Sequence, residues 1–290
     1  MPSLKEYKAK LVSLGNTRKM TKTMKMVAAS KLHRAMDAQR KAQDYAHKLS
    51  NLAHRIAGAG DRSSHPLVVA KAEPKSALVL AIMSDKGMCG GFNNHLIRHI
   101  ARWAQMPQQR LKSFTFSFIG RRGWLFFRHR VRVEKLYFDL PPRPTPEDAQ
   151  KITNDLTQAF TSGAADEVYI AYNHFNNPLS QRPVIRKILP MEPTQPVIGI
   201  GAHREDLIIE PQKDELTAFL LPKILNFEIY FALVENAAGE NGARMTAMDS
   251  ATNNATKMIR TYTLLRDRAR QASITKELIE IVSGAEALKG

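Results

Sequence analysis

Cysteine is almost absent from this chain of 290 residues, since Cys89 is its only one. A single cysteine excludes an internal disulfide and a metal cluster built on several thiolates, and it fits a reducing compartment. No apolar run approaches the roughly 20 residues that a membrane-spanning helix needs. Residues 1–5 carry no hydrophobic signal core, so we expect a cytoplasmic protein whose membrane contact comes through partners.

Proline is missing from residues 4–57, where glycine occurs once, at Gly15. Alanine, lysine, leucine, methionine and arginine dominate this segment, and all five favour a helix. Apolar residues then alternate at spacings of four and three, which is typical of a coiled coil. At about 1.5 Å per residue the helix would be roughly 80 Å long and would end near residues 57–60. This predicted seam consists of Met24, Ala28, Lys31, Ala35, Ala38, Ala42, Tyr45, Leu49, Leu52 and Ile56, with Lys31 as its polar exception.

A second long helix is predicted from Pro222 to about residue 282, with Pro222 in its first turn. Its seam keeps the same alternating spacing over twelve positions and stops after Tyr262. Gly239 and Gly242 interrupt good helix formers, so we expect a weaker middle. The predicted seam consists of Ile224, Phe227, Phe231, Val234, Ala238, Asn241, Met245, Met248, Thr252, Ala255, Ile259 and Tyr262.

The segment between the two helices has a different composition, with frequent prolines and short apolar runs. Strands are predicted at residues 77–83, 114–119, 168–172 and 184–189. Helical stretches are predicted at 92–105, 121–130 and 147–163. This alternation indicates a Rossmann-like α/β domain built around a mainly parallel sheet.

The predicted fold class is therefore α/β plus a coiled coil, in which the two terminal helices pair antiparallel. The pairing follows because a lone helix of this length would leave its seam exposed to water. The predicted domains are residues 1–60, 61–210 and 211–290. The alternative is that both helices pack independently on the central domain, which looks too small to cover them.

One glycine-rich loop, residues 84–94 (SDKGMCGGFNN), follows a predicted strand and precedes a predicted helix. It matches neither the P-loop pattern nor GxGxxG. The favoured interpretation is a structural turn formed by Gly87, Cys89, Gly90 and Gly91, and the alternative is a phosphate or nucleotide site. Cys89 is expected to be a buried small hydrophobe rather than a nucleophile. We find no catalytic, cofactor or metal site in the sequence.

Positive charge is in excess, with 43 Lys and Arg against 27 Asp and Glu. Residues 1–60 hold thirteen of the cations and three acidic residues. Such an excess indicates an anionic partner. Composition leaves three candidates open: nucleic acid, an anionic membrane surface and acidic protein loops. A basic coiled coil that binds nucleic acid is one function left open, and an enzyme using the loop at 84–94 is another.

Four segments in fixed order resemble signature segments of one family. They are residues 16–32 (NTRKMTKTMKMVAASKL), 84–93 (SDKGMCGGFN), 243–252 (ARMTAMDSAT) and 268–285 (RARQASITKELIEIVSGA). All four resemble the gamma subunit of F-type ATP synthases, and the similarity runs from residue 3 to the end.

This resemblance implies a rotor shaft without a catalytic site or cofactor of its own. The coiled coil would stand inside a ring of three alpha and three beta subunits, whose beta sites make or hydrolyse ATP. The α/β domain would be a foot on the c-ring beside the epsilon subunit, and a regulatory inhibitor protein is a further candidate partner. The chain also lacks a presequence and the chloroplast cysteine insertion, so we expect a peripheral protein on the cytoplasmic face of a bacterial inner membrane.

The resemblance also implies roles for individual residues. Contacts with the alpha/beta ring fall on Lys22, Met24, Lys25, Arg244, Arg270 and Gln271. It further implies an apolar tip that turns in an apolar sleeve at the top of the ring. This tip would consist of Ile274, Leu278, Ile281 and Val282. This tip agrees with the pattern, because apolar residues continue after the two-stranded seam stops at Tyr262.

Overall fold

The computed structural model describes residues 3–57, 65–106, 111–138, 140–191 and 213–287. The elements run in the order α1 (Leu4–Ala57), β1 (Ser76–Ile82), α2 (Phe92–Ala104), β2 (Ser113–Ile119), α3 (Arg121–Phe127), β3 (Arg132–Tyr137), α4 (Pro146–Thr161), β4 (Glu167–Asn177), β5 (Ser180–Leu189) and α5 (Lys213–Ala287). The predicted glycine-rich end of the first helix, at residues 58–60, lies outside the described residues.

Helix α5 begins earlier than the sequence suggested. Pro222 lies inside it rather than in its first turn, so that prediction was wrong. Proline removes one backbone hydrogen bond from a helix interior. Leu221 and Leu225, on either side of Pro222, are fully buried, and their packing holds the helix together through this position.

The five strands form one sheet in the order β3-β2-β1-β4-β5. The first four are parallel and β5 is antiparallel to β4, which confirms the predicted mainly parallel sheet. Strand β3 was missed. It carries Arg132, Glu134 and Lys135 and pairs only with β2 among the described strands, so it lacks the apolar run of a central strand.

The sheet separates two apolar clusters. In β1, Leu78, Leu80 and Ile82 point to one face, while Val79 and Ala81 point to the other. The first face packs against α4 and against α5, through residues such as Ile152, Leu156, Leu225 and Ile229. The second face packs against α2 and α3, through residues such as Leu96, Ile100 and Phe127.

Contacts within the chain divide it into two compact units, Met1–Ala28 with Met245–Gly290, and Ala29–Arg244. Each unit holds a piece of both long helices. The units therefore cut across the predicted domains 1–60, 61–210 and 211–290, whose boundaries lie outside the described residues.

The two long helices are antiparallel within each unit. In the first, three pairs join the helices: the rings of Tyr7 and Tyr262 (6.3 Å between centroids), the hydroxyls of Thr21 and Thr252 (2.8 Å), and Lys25 with Asp249 (2.6 Å). In the second unit, Gln39 donates to Glu235 (3.2 Å), and the rings of Tyr45 and Phe227 lie 4.8 Å apart. Within each unit, the residue numbers of successive contacts increase along α1 and decrease along α5, as antiparallel helices require.

The seam of α1 differs from the predicted one at a single position among residues 24–42. Leu32 is 5% exposed, whereas Lys31 is exposed, so assigning Lys31 to the seam was wrong. The spacing of four and three is retained, but the step of four follows Ala28 and the step of three follows Leu32. The buried positions also begin before Met24, at Leu14. The polar exception in the predicted seam therefore came from placing the step of three before the step of four between Ala28 and Ala35.

Gly239 and Gly242 occupy close contacts between α5 and the sheet domain. A Cβ at Gly239 would lie 3.0 Å from a ring carbon of Phe92, and a Cβ at Gly242 would lie 3.1 Å from the Cα of Pro178. Both distances are shorter than ordinary van der Waals contact. The glycines thus let the start of α2 and the β4–β5 turn approach the helix, a packing role that the sequence did not reveal.

Replacing Leu32 by alanine tests the corrected seam. The substitution removes buried apolar surface and leaves a cavity, so we expect the free energy of unfolding of the full chain to fall by about 2 kcal/mol or more. Lys31→Ala is the matched control and should change it by less than about 0.5 kcal/mol. Urea unfolding followed by circular dichroism measures both, and a larger effect at Lys31 would contradict the seam.

Candidate functional site

The glycine-rich loop joins the end of β1 to the start of α2 and binds its own polar groups. The backbone N–H of Ser84 donates to Asn93 Oδ1 (3.1 Å), and Asn93 Nδ2 donates to Ser84 Oγ (2.7 Å). The Ser84 hydroxyl in turn donates to the carbonyl of Lys86 (2.8 Å). The side chains of Ser84 and Asn93 are therefore already engaged in closing the turn.

The four residues predicted to shape this turn have distinct positions. Gly90 has a positive φ of 58°, which glycine adopts without strain. A Cβ at Gly87 would lie 2.6 Å from Arg122 Nη2, and one at Gly91 would lie 2.6 Å from His95 Nε2. Cys89 is buried together with Phe92 and Ala243.

The thiol of Cys89 has the environment of a packed side chain. Burial raises the pKa of the Cys89 thiol, and this effect outweighs the opposing hydrogen bond with Ser84. A raised pKa leaves the thiol protonated at neutral pH, whereas a nucleophile needs the thiolate. The geometry therefore favours the packing interpretation of Cys89.

A pocket of about 430 Å³ opens beside the loop. It is lined by Gly87, Met88, Cys89, Gly90, Asn93, Asn94, Ile97, Arg122, Leu125 and Phe126. Arg122 is the one charged side chain of this lining. Since the Asn93 amide is bound internally, the lining offers few free polar groups to a nucleotide.

Arg244 holds the loop to α5. Its guanidinium donates to the carbonyl oxygens of Lys86 (3.3 Å) and Gly87 (3.2 Å), and it lies 2.8 Å from Glu240 Oε1. The side chains of Arg244 and Glu240 are only 14% and 22% exposed. Burial raises the pKa of Glu240, and the Arg244 charge opposes that rise. Arg244 thus fastens the turn in addition to its predicted ring contact.

The other predicted contact residues lie in the first unit. Lys22 is exposed on α1, Met24 is half-buried, and Lys25 is half-exposed in its ion pair with Asp249. Arg270 and Gln271 are exposed on α5. The structure brings Lys22, Met24 and Lys25 together on one helix and places Arg270 and Gln271 near the end of the other.

The predicted apolar tip is exposed along one stretch of α5. Every residue from 271 to 286 is exposed, including Ile274 (45%), Leu278 (57%), Ile281 (67%) and Val282 (60%). Helix α1 begins at Leu4, and Tyr7 already contacts Tyr262, so α1 does not extend alongside the tip. With Ile279 (60%), five large aliphatic side chains therefore face water on a single helix.

Sequence reasoning missed a buried polar cluster between α5 and the β4–β5 hairpin. Glu235 is fully buried and accepts from Gln39, with His174 Nδ1 at 2.9 Å. One heptad earlier, Glu228 pairs with Arg186 (3.4 Å). Burial and the neighbouring Glu235 raise the pKa of Tyr172 to about 12. The sequence signal for this cluster was the pair Glu228 and Glu235, two carboxylates that lie seven residues apart in an otherwise apolar stretch.

The described residues contain no group of three or more His, Cys, Asp or Glu side chains that could hold a metal ion. None of the described helices combines the length and the apolar character that crossing a bilayer requires.

Replacing Arg244 by methionine should make stability depend on pH. Without the Arg244 charge, Glu240 keeps the raised pKa that burial gives it, so its ionised form destabilises the fold at pH 7. We expect the free energy of unfolding of the full chain to fall by about 2 kcal/mol. The loss should shrink as pH falls through the raised folded-state pKa of Glu240 towards about 4.3, its ordinary value.

The double variant with Glu240→Gln and Arg244→Met is the control. It removes the buried carboxyl together with its partner, so its stability should vary less between pH 5 and pH 8 than that of the Arg244→Met variant. Urea unfolding across this range measures all three proteins. A single variant whose deficit stays constant with pH would contradict the assigned role of Arg244.

A family model described as ATP synthase matches residues 3–288. The ATP synthase gamma chain of Anaeromyxobacter sp. (strain Fw109-5) is 42% identical over 293 residues, and that of Geobacter metallireducens is 39% identical over 290, each covering all of both chains.

Solved structures show a similar fold. A chain of the Euglena gracilis mitochondrial ATP synthase (OSCP/F1/c-ring, rotational state 3) matches with a TM-score of 0.67 at 18% identity, covering 98% of this chain and 94% of that one. A chain of the rotor of the same enzyme has a TM-score of 0.63 at 17% identity, with coverages of 93% and 98%. With the full-length matches in sequence, these findings show that the chain belongs to the ATP synthase gamma chain family.

Proposed function

We infer that this chain is the central stalk, or rotor shaft, of an F-type ATP synthase. The observation that carries this function is the antiparallel pairing of α1 and α5 in a chain that matches gamma chains over its full length. A similar fold occurs in a chain of the Euglena gracilis rotor and in a chain of the Tetrahymena thermophila central stalk and c-ring.

In this function the paired helices stand inside a ring of alpha and beta subunits. The sheet domain sits on the c-ring together with the epsilon subunit. Proton flow turns the c-ring, the stalk turns with it, and its asymmetric surface brings each beta subunit through a different nucleotide state. Coupling by contact needs a shaft whose two faces differ, and α1 and α5 carry different exposed side chains.

The stalk takes part in ATP synthesis without a catalytic site of its own, and the beta subunits carry out the nucleotide chemistry. The geometry of the 84–94 loop supports this assignment. The side chains of Ser84 and Asn93 bind one another, and the thiol of Cys89 has a raised pKa. These are features of a structural turn.

The assembled complex places the stalk at the cytoplasmic face of a bacterial inner membrane as a peripheral subunit. Support comes from relatives in Anaeromyxobacter and Geobacter that are about 40% identical over their whole length.

Contacts with the alpha/beta ring fall on Lys22, Met24, Lys25, Arg270 and Gln271, with Arg244 contributing from its place beside the loop. The exposure of Lys22, Arg270 and Gln271 supports these roles, because their polar groups are accessible to acidic loops. Lys25 shares its charge with Asp249, so a ring carboxylate would compete with that residue.

Omitting this chain tests the function directly. We expect alpha and beta subunits reconstituted with the membrane sector and epsilon to make no ATP from a proton gradient, because nothing links the c-ring to the catalytic ring. Adding the purified chain should restore synthesis. The measurement is ATP formed in vesicles after an acid–base transition, and equal synthesis without the chain would exclude the proposed role.

The apolar tip gives a second test. Leu278→Asp with Ile281→Asp should leave the thermal unfolding of the isolated chain nearly unchanged, because both side chains already face water. Binding to the alpha/beta ring should weaken about tenfold or more, since an apolar bearing would receive two charges.

Glu277→Ala with Glu280→Ala is the matched control on the same turns and should bind the ring within about threefold of the wild type. Titration of labelled chain with the alpha/beta ring measures the affinity. Equal affinity for the Asp variant and the wild type would remove the bearing role from the tip.

A further inference from the structure

One edge of the sheet collects exposed cations from several elements. Strands β1 to β4 are parallel, so their amino-terminal ends lie at the same edge. Helix α2 connects β1 to β2, and α3 connects β2 to β3, so the carboxyl ends of both helices return to this edge. We define the basic edge as Lys75, Arg102, Lys112, Arg128, Arg130 and Arg132, all of which are exposed.

Local geometry holds these cations side by side. Lys75 and Lys112 come directly before β1 and β2, and the backbone N–H of Lys112 donates to the carbonyl of Lys75 (2.8 Å). Arg132 is the first residue of β3, the next strand. Neighbouring strands lie about 4.8 Å apart, so the three cations span about 10 Å of one sheet edge.

The charge of this edge is not neutralised within the described chain. The ion pairs found among the described residues include none of the six cations. The buried Asp166 at this edge is bound by Lys71 and by the backbone N–H groups of Lys75 and Ser76. Two exposed carboxylates lie nearby in sequence, Glu73 and Glu134, so the edge keeps an excess of positive charge.

The opposite edge has a mixed charge. Its charged side chains include Lys86, Arg121, Arg122 and Arg143, together with Asp85, Glu147 and Asp148. The backbone N–H of Arg121 donates to Asp85 Oδ1 (3.0 Å). The positive excess is therefore a property of the amino-terminal edge.

Apolar side chains accompany the cations. The guanidinium of Arg130 lies 4.2 Å from the ring centre of Phe126, and that of Arg128 lies 5.5 Å from Trp124. Phe126 and Met106 are 40% and 44% exposed. Cations beside exposed apolar groups, spread along an edge rather than converging on a groove, are the features that suit a lipid surface.

We propose that the basic edge binds the anionic phospholipid headgroups of the membrane. The proposal rests on the proposed function, because the assembled complex works at that membrane. Diffuse attraction to fluid headgroups fixes no single angle, so it holds the sheet domain near the bilayer while the stalk turns. The attraction acts over about 8 Å at physiological salt, the distance over which exposed charges are screened.

The test uses the complex of this chain with alpha and beta subunits, in which the basic helix α1 is enclosed. Flotation with phosphatidylcholine vesicles containing 0 or 30 mol% phosphatidylglycerol measures binding. We expect binding that requires phosphatidylglycerol and weakens with added NaCl. The triple variant Arg128→Gln, Arg130→Gln and Arg132→Gln should bind roughly 100-fold more weakly. This estimate assumes that each arginine removed takes away the binding free energy that one basic residue gains at an anionic membrane surface.

The matched control is Arg121→Gln, Arg122→Gln and Arg143→Gln, which removes the same charge from the opposite edge and should change binding by less than about threefold. Equal losses in both triple variants, or binding without phosphatidylglycerol, would overturn the proposal. So would a basic-edge variant that keeps vesicle binding but loses attachment to the detergent-purified membrane sector, because the edge would then bind an acidic protein. ATP hydrolysis by the same complexes reports separately on the stalk function.

Discussion

The burial of α5 on two sides is the constraint on which the rest of this structure depends. In the second unit, one side of α5 completes the core of the sheet through Leu225 and Ile229, while Phe227 and Glu235 contact α1. A helix packed on both sides has few positions left for polar residues. Each one that remains must find a partner, because an unpaired buried charge is strongly destabilising.

The polar residues of α5 follow this constraint. Glu235 binds Gln39 and His174, Glu228 binds Arg186, and Glu240 binds Arg244. Glu235 and Glu228 join the helix to α1 and to the β4–β5 hairpin. Arg244, which is paired with Glu240 within α5, joins the helix to the 84–94 loop. Such pairs contribute less to stability than apolar packing of the same volume, but they penalise any shift of the helix along its neighbours. The junction of stalk and sheet is thus specific in register as well as apolar.

Periodicity was sufficient to predict the two helices, their antiparallel pairing and most strands, because these features repeat over many residues. It failed where the position of a helix seam or a helix boundary depends on a single residue. Lys31 and Leu32 are adjacent, and the spacing pattern accepts either one. Pro222 was taken for a helix start because local propensity does not register the tertiary packing of Leu221 and Leu225. Strand β3 was missed because an edge strand needs no apolar run.

The candidate site was predictable only where composition carries the signal. Apolar residues continuing past Tyr262 indicated the exposed tip, and the glycines of the 84–94 loop indicated a tight turn. The hold of Arg244 on that loop could not be foreseen, because it joins residues 157 and 158 positions apart. The close approach at Gly239 and Gly242 was equally hidden, since a glycine that makes room for a neighbour has the same sequence signature as one that weakens a helix.

The unequal reach of the two long helices has a mechanical consequence. Beyond the start of α1 the stalk continues as one helix, and a single helix bends more readily than two that are packed together. In the proposed function, the final turns would be the part that bends, which would accommodate a small misalignment between the axis of rotation and the surrounding subunits. Resistance to twisting is needed where force passes between subunits. Along that part, the stalk consists of two packed helices, α1 and α5.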